Sequence, residues 1–500
     1  MQTNRWAALA RLPRPIYALI AGVIATFISA LGSGNASYWG DEAASVMSAT
    51  RSLDSLWPML GTVDAVHGLY YVFLHGWIDI FGPSEFSTRM PAAIAVGFAA
   101  AGLLLLVWRM AGPHLAAIAT VIFAVLPRVT NIGSEARGYA LAAAGVVWIV
   151  YGLIALLDAY PRRRWLWWVW AICLALTATM FMYSLLILPV LGVWLLLNRR
   201  GPDRFWRTVI FGCIAVVFSL PVIVMGYLER DQIGFLANRP PGWDGVFITQ
   251  WFGSGALAIP AWILIVIAIV GMVLRRREKQ PLETLALAWM ILPPILLGLI
   301  SIVSPSYSQR YLSICTPAVA IMMMLGIREI ARRIRPLSAS ASVSVLVSWV
   351  LVVGLVLASA PSYLSQRSAF GKDGSDLREI SEVIAEQAEP GDAVIFNDDI
   401  RPSRKPRLAL RLYPEAFSGI LDPGLTRAFD RTDFLWDEAL PAAETPVPAE
   451  VDTLWYVISG SDKPERAPKD LATFEAQGFS VDELVKIKRT WVYRLVRDVG

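Results

Sequence analysis

A chain of 500 residues that is 56% hydrophobic and 17% charged, with a mean hydropathy of +0.53, lies outside the range of soluble globular proteins, whose charged share is about a quarter. Its 44 basic and 40 acidic residues leave a formal charge of +4, too balanced to attract nucleic acid by bulk electrostatics. Cys173, Cys213 and Cys315 each sit in an apolar run, and His67, His75 and His114 show no H-E-x-x-H spacing, so neither a disulfide framework nor a thiolate or histidine metal cage follows.

A helix needs roughly 20 apolar residues to cross the hydrocarbon core, and such runs continue to about residue 360. In chain order the predicted spans are 15–32, 88–109, 114–127, 139–157, 165–181, 184–198, 207–226, 257–274, 282–302, 311–328 and 341–360, about eleven crossings. Arg5, Arg11 and Arg14 ahead of the first run also resemble the start of a cleaved signal peptide. That run exceeds the roughly 7–15 apolar residues of such a peptide, so it reads as a span. Between the first two spans lies a large loop, 33–87, whose segment 68–81 is short for a crossing and rich in interfacial aromatics. If that segment lies flat, Arg109, the clusters 162–164 and 275–277, Arg199, Arg200, Arg204, Lys279, Arg328, Arg332, Arg333 and Arg335 all face the cytoplasm, as the positive-inside rule requires. The same parity keeps the N-terminus cytoplasmic and places 361–500 outside, in a multi-pass plasma-membrane protein.

The tail reads as a soluble α/β domain over 370–500. A helix is predicted from Asp376 to Glu389, strands from Ala393 to Phe396 and Leu454 to Ser459, a final hairpin within Glu483 to Val496, and a Pro- and Ala-rich linker or excursion from Ala439 to Glu450. The basic stretch Arg401, Arg404, Lys405, Arg407 and Arg411 reads as a solvated face or a contact for anionic headgroups or an acidic glycan. The fold class is therefore a polytopic all-α membrane domain, 1–360, followed by the α/β domain.

The outer loops hold the acids, with Asp41, Glu42, Asp54, Asp64 and Glu85 in the first and Glu135 in the second. Asp41 and Glu42 follow Tyr38 and Trp39 just beyond a helix end; either they are solvated caps, or one deprotonates an acceptor hydroxyl at the bilayer surface. His67 begins the interfacial segment, as a packed residue or a site residue. In Ser134-Glu135-Ala136-Arg137-Gly138-Tyr139 an arginine stands on the side where arginine is disfavoured, and Ser306-Tyr307-Ser308-Gln309-Arg310-Tyr311 repeats that placement. A permanently charged guanidinium suits a phosphate; the alternatives are an ion pair and snorkelling to the interface.

These motifs, in this order along a polytopic chain, resemble the GT-C superfamily of integral-membrane glycosyltransferases, in particular the branch of protein O-mannosyltransferases and the lipid A aminoarabinose transferase. Asp41-Glu42 is similar to that branch's acidic motif in a large first outer loop, 68–81 to its interfacial helix, and Arg310-Tyr311 to its lipid-phosphate arginine. Ala-Arg-Gly-Tyr-Ala-Leu at 136–141 differs from the family's Ala-Arg-Pro-Tyr-Ala-Leu by glycine for proline. The resemblance implies an inverting transferase that takes a sugar from a polyprenyl phosphate and delivers it to a cell-envelope glycan, lipoglycan or protein. Asp41 and Glu42 would be catalytic; Arg310, Arg137 and Tyr311 would hold the donor phosphate; His67, Glu135, Tyr139 and Tyr183 would bind substrate. No cofactor or metal is expected, because arginine can neutralise a lipid monophosphate. The arginine-rich, lysine-poor first 360 residues suggest a GC-rich bacterial genome; for an actinobacterium the resemblance implies, by analogy alone, a polyprenyl-phosphate mannose or arabinofuranose donor, with mannose favoured. The competing readings are an arabinofuranose transferase, a transporter or flippase, which spans nearly free of charge disfavour, and a non-catalytic glycan-binding membrane protein.

Overall fold

The structure is a computed structural model describing residues 13–159, 164–238, 242–334, 341–460 and 468–498. Arg5, Arg11, Arg162, Arg163 and Arg335, which entered the topology argument, lie outside these residues. The chain divides into two compact units, Met1–Leu31 with Arg89–Leu364 and Gly32–Thr88 with Ser365–Gly500. A division at about residue 360 had grouped the loop 33–87 with the membrane part; in the structure this loop clusters with the tail.

The first unit is helical. Among the described residues, seven helices are long and apolar enough to cross a membrane: Glu85–Ala111, Tyr139–Ala159, Pro202–Leu228, Gly255–Leu274, Pro281–Val303, Gln309–Ile334 and Ser342–Gln366. Four shorter apolar helices, Arg14–Ala30, Pro113–Val125, Leu166–Met180 and Met182–Leu197, fall on the remaining predicted spans. Two Gly-Pro pairs terminate and restart helices. Gly112 and Gly201 adopt φ of 92° and 91°, open to a residue without Cβ, and Pro113 and Pro202 follow at the first helical turn, where a missing N–H costs nothing. Buried indoles tie neighbouring helices through backbone carbonyls: Trp170 Nε1 donates to Ile149 O at 3.0 Å, Trp194 Nε1 to Pro281 O at 2.7 Å and Trp289 Nε1 to Ile314 O at 2.9 Å.

The second unit is built on a four-stranded sheet. Its strands are β1 (Ala393–Phe396), β4 (Thr453–Ser459), β5 (Phe479–Lys486) and β6 (Thr490–Arg497), in the order β1-β4-β6-β5, with β1 parallel to β4 and the other pairs antiparallel. Two short strands, β2 (Leu425–Arg427) and β3 (Glu438–Ala439), pair separately. Alternation buries both faces. Val394, Phe396, Trp455, Val457 and Val492 join one core, and Ile395, Leu454, Tyr456, Tyr493 and Leu495 the other. The first of these cores also contains Tyr38, Ala43, Val46 and Met47 from the loop 33–87, beside Leu377, Ile380 and Leu408.

Two readings of the tail require correction. The Pro- and Ala-rich stretch, read as a linker or excursion, is not a linker, for Ala442 is buried and Val447 packs on the second core. The basic stretch is largely engaged within its own domain: Arg404 pairs with Asp373 at 2.9 Å, Lys405 with Asp398 at 3.8 Å, and Arg411 with Asp437 at 2.8 Å. Arg407, nearly buried, pairs with Asp398 at 2.9 Å and with Asp422, over the Phe396 ring.

Candidate active site

Asp41 and Glu42 occupy the first turn of helix Gly40–Thr50, which begins after the extended Trp39 without a side-chain cap. The first turn of a helix exposes unsatisfied N–H groups, so negative charge is favoured there. The two carboxylates differ in access: Glu42 is fully buried and Asp41 half-buried. Small residues, Ala43, Ala44, Ser45, Ser48 and Ala49, bury the rest of the helix, and His75 Nδ1 meets Ala49 O at 2.7 Å, joining it to helix Gly68–Phe81. That helix coincides with the segment read as interfacial; it buries Tyr70, Tyr71 and Leu74 and exposes Ile80 and Phe81.

His67 closes a short 3-10 turn, Ala65–His67, and lies half-buried with its ring 6.0 Å from that of Tyr71. The Tyr71 hydroxyl donates to Asp64 Oδ2 at 2.7 Å. Asp64 adopts φ of 59°, a left-handed conformation that strains a residue bearing Cβ and is characteristic of functional turns.

The entry to this helix pair is anchored on Arg378. Its guanidinium donates to Glu85 Oε1, to Gly34 O at 2.8 Å and to Asn35 O at 2.9 Å, while the Tyr413 hydroxyl donates to the same Glu85 oxygen at 2.6 Å. Burial, followed by the adjoining Glu85 charge, pushes the Tyr413 hydroxyl well above its ordinary range. Burial opposes the Arg378 charge, yet Glu85 outweighs it and raises the pKa.

In the first unit, Glu135 and Arg137 are buried in the turn between helices Pro127–Ile132 and Tyr139–Ala159. Arg310 Nη1 lies 3.9 Å from Glu135 Oε1. It enters from the 3-10 segment Gln309–Cys315, where Ser313 Oγ donates to Arg310 O at 2.6 Å. Tyr139, Tyr183 and Tyr311 converge beside this pair. The Tyr183 and Tyr311 rings stack at 5.1 Å, Tyr139 lies 6.1 Å from Tyr311, and Phe181 lies 5.4 Å from Tyr139 and 5.5 Å from Tyr311.

Two members of this cluster were absent from the sequence-derived set, Phe181 and Arg128. Arg128 donates to Gln250 O at 2.7 Å and Thr249 O at 3.0 Å. Burial, then the positive charge of Arg310, pushes its pKa down to about 10, partly offset by Glu135 and Tyr139, so it remains cationic at neutral pH. The signal that marks Arg137 marks Arg128 as well, an arginine at the predicted outer end of a span. The sequence-predicted site residues thus gather within each unit, Asp41, Glu42 and His67 in the second, Glu135, Arg137, Tyr139, Tyr183, Arg310 and Tyr311 in the first. Arg128, Arg310 and Glu135 stand together beside these aromatic rings, an arrangement whose chemistry suits an anion and a sugar face. Among the described residues, no three or more His, Cys, Asp or Glu side chains form a group that could hold a metal ion.

No protein-family model and no curated protein sequence matches the chain. Among solved structures it is similar to ArnT from Cupriavidus metallidurans bound to undecaprenyl phosphate, at 12% identity over 96% of this chain and 97% of that one, with a TM-score of 0.56. The apo form of that protein matches at 13% identity over the same shares and the same TM-score. The archaeal oligosaccharyltransferase AglB from Archaeoglobus fulgidus, in complex with an inhibitory peptide and a dolichol-phosphate, gives 12% identity, 89% and 69% coverage and a TM-score of 0.49. Covering nearly the whole of both chains, the match to ArnT shows that this chain shares that protein's fold.

Proposed function

We propose that the protein is an inverting glycosyltransferase that moves one sugar from a polyprenyl phosphate to a hydroxyl on an extracytoplasmic acceptor, a cell-envelope glycan, lipoglycan or protein. The observation that carries this reading is the cluster of Arg310, Glu135 and Arg128 walled by Tyr139, Tyr183 and Tyr311, within a fold shared with a protein solved in complex with undecaprenyl phosphate. In the proposed reaction the acceptor oxygen attacks the anomeric carbon as the bond from that carbon to the phosphate oxygen breaks. The acceptor proton passes to Asp41, and the lipid phosphate leaves with its charge held by arginine. Asp41 is the base because it is the accessible member of the acidic pair, Glu42 being fully buried. Mannose is the favoured sugar. The proposed topology has eleven crossings of the plasma membrane, made by the seven long and four shorter apolar helices, with the α/β domain outside.

The test compares wild type with Asp41→Asn in proteoliposomes supplied with radiolabelled polyprenyl-phosphate mannose or arabinofuranose, following label into acceptor. Transfer by wild type that falls by about two to four orders of magnitude in a folded mutant is the expected result. Undiminished transfer in the mutant removes Asp41 as the base, and a folded wild type inert with both donors removes both sugars.

A further inference from the structure

A second charged site lies in the first unit. Where the turns 198–201 and 275–280 follow helices Ile187–Leu197 and Gly255–Leu274, a cavity of about 1040 Å³ opens. Six cationic side chains line it, Arg199, Arg200, Arg204, Arg276, Arg277 and Lys279, against the single carboxylate of Glu278. That carboxylate pairs with Arg275 at 3.5 Å. Neighbouring arginines are likewise matched, Arg328 with Glu283 at 2.8 Å and Arg332 with Glu329 at 3.3 Å. Among the described residues none of the six makes an ion pair.

The positive-inside rule accounts for the sign of these charges and assigns them to the cytoplasmic leaflet. It does not account for their convergence on one cavity, where like charges repel unless an anion offsets them. Apolar side chains, Leu197, Ile269, Met272 and Leu287, also line it, and Leu197 is largely exposed. The cavity therefore offers cations to a headgroup and a hydrocarbon surface to its chains. The site is remote from the proposed donor site: Glu329, which pairs with Arg275 beside the lining residue Arg276, is separated from Arg310 by most of helix Gln309–Ile334, about 30 Å along its axis.

We infer that this cavity binds an anionic phospholipid of the cytoplasmic leaflet whose headgroup carries two phosphates. Two phosphates offset more of the six cations than a monophosphate ester does, and a soluble diphosphate leaves the apolar lining unused. Basic pockets between helices on this face of a membrane protein have the chemistry for such headgroups.

The experiment uses the full-length protein in nanodiscs of zwitterionic lipid doped with diphosphatidylglycerol or with charge-matched phosphatidylglycerol, reading retained lipid by native mass spectrometry. Selective retention of diphosphatidylglycerol is expected, weakened about 25-fold in Arg276→Gln/Arg277→Gln, from a roughly fivefold contribution of each cation to headgroup attraction. The exposed pair Arg164→Gln/Arg333→Gln removes two charges from outside the cavity and is expected to leave retention unchanged. Equal retention of phosphatidylglycerol, an equal loss in the control pair, or complete displacement by inorganic pyrophosphate each overturns the inference.

Discussion

Single side chains carry two expectations. Arg310 stands 3.9 Å from a nearly buried Glu135 while its own side chain remains 30% exposed, so it is placed to give charge to a ligand as well as to its partner. Arg310→Gln should lower kcat/KM for the donor by about ten- to a hundredfold, the loss of one charge-assisted hydrogen bond. Arg310→Lys should recover part of it, as a point charge without the fork; equal kinetics in all three proteins would remove this residue from donor binding. Glu379 supplies a pH signature. Among the described residues its Oε2 is buried without a hydrogen-bond partner, and burial raises its pKa. The folded state therefore binds this proton more tightly than the unfolded one; that support is complete below the unfolded carboxylate range and is lost as pH rises through the folded value. Glu379→Gln should slow amide exchange across Leu377–Gln387 at pH 7, and the difference should vanish in acid. Asp41 and Glu42 were legible as a pair from their place after a span, but which of them meets solvent was not, because burial depends on what packs over the helix.

At the scale of elements, local pattern translated well where periodicity was strong. The strand Ala393–Phe396 and the helix Gly68–Phe81 appear with the predicted bounds, since each is a short apolar or aromatic run stopped by turn residues. The Pro- and Ala-rich stretch was misread because its composition matches a linker while Ala442 and Val447 pack on the second core of their domain. The basic stretch was misread for a related reason: charge density along the chain does not reveal Asp373, Asp422 and Asp437 brought opposite by the fold. Close helix contact depends on single small residues. A Cβ added at Gly326 would lie 2.2 Å from Leu264 O, where helix Thr316–Ile334 meets helix Gly255–Leu274. Small residues of this kind permit backbones to approach inside a membrane, so Gly326→Val should destabilise the full chain by about 1–3 kcal/mol or more. Thermal unfolding in detergent, with Gly326→Ala as the intermediate step, measures it; unchanged midpoints for both would show that the contact is absent.

For the molecule as a whole, the topology is the quantity to measure. The proposed eleven crossings from a cytoplasmic N-terminus would put residue 500 outside, so a phosphatase fused there should be active and a reporter that fluoresces only in the cytoplasm should be dark; the opposite pattern overturns the parity. The sequence by itself determined that the chain is a membrane protein, where its apolar helices lie, and that an α/β domain closes it, because hydropathy, helix length and strand alternation are properties of contiguous residues. Only the tertiary structure decided that the loop 33–87 shares a core with the tail. It alone gathered Arg128 and Phe181 into the cluster of Glu135, Tyr139, Tyr183, Arg310 and Tyr311, and it alone separated the paired arginines from those left around one cavity. Each of these depends on which helices and loops meet, and partners as far apart as Glu135 and Arg310 leave no trace in any window of sequence.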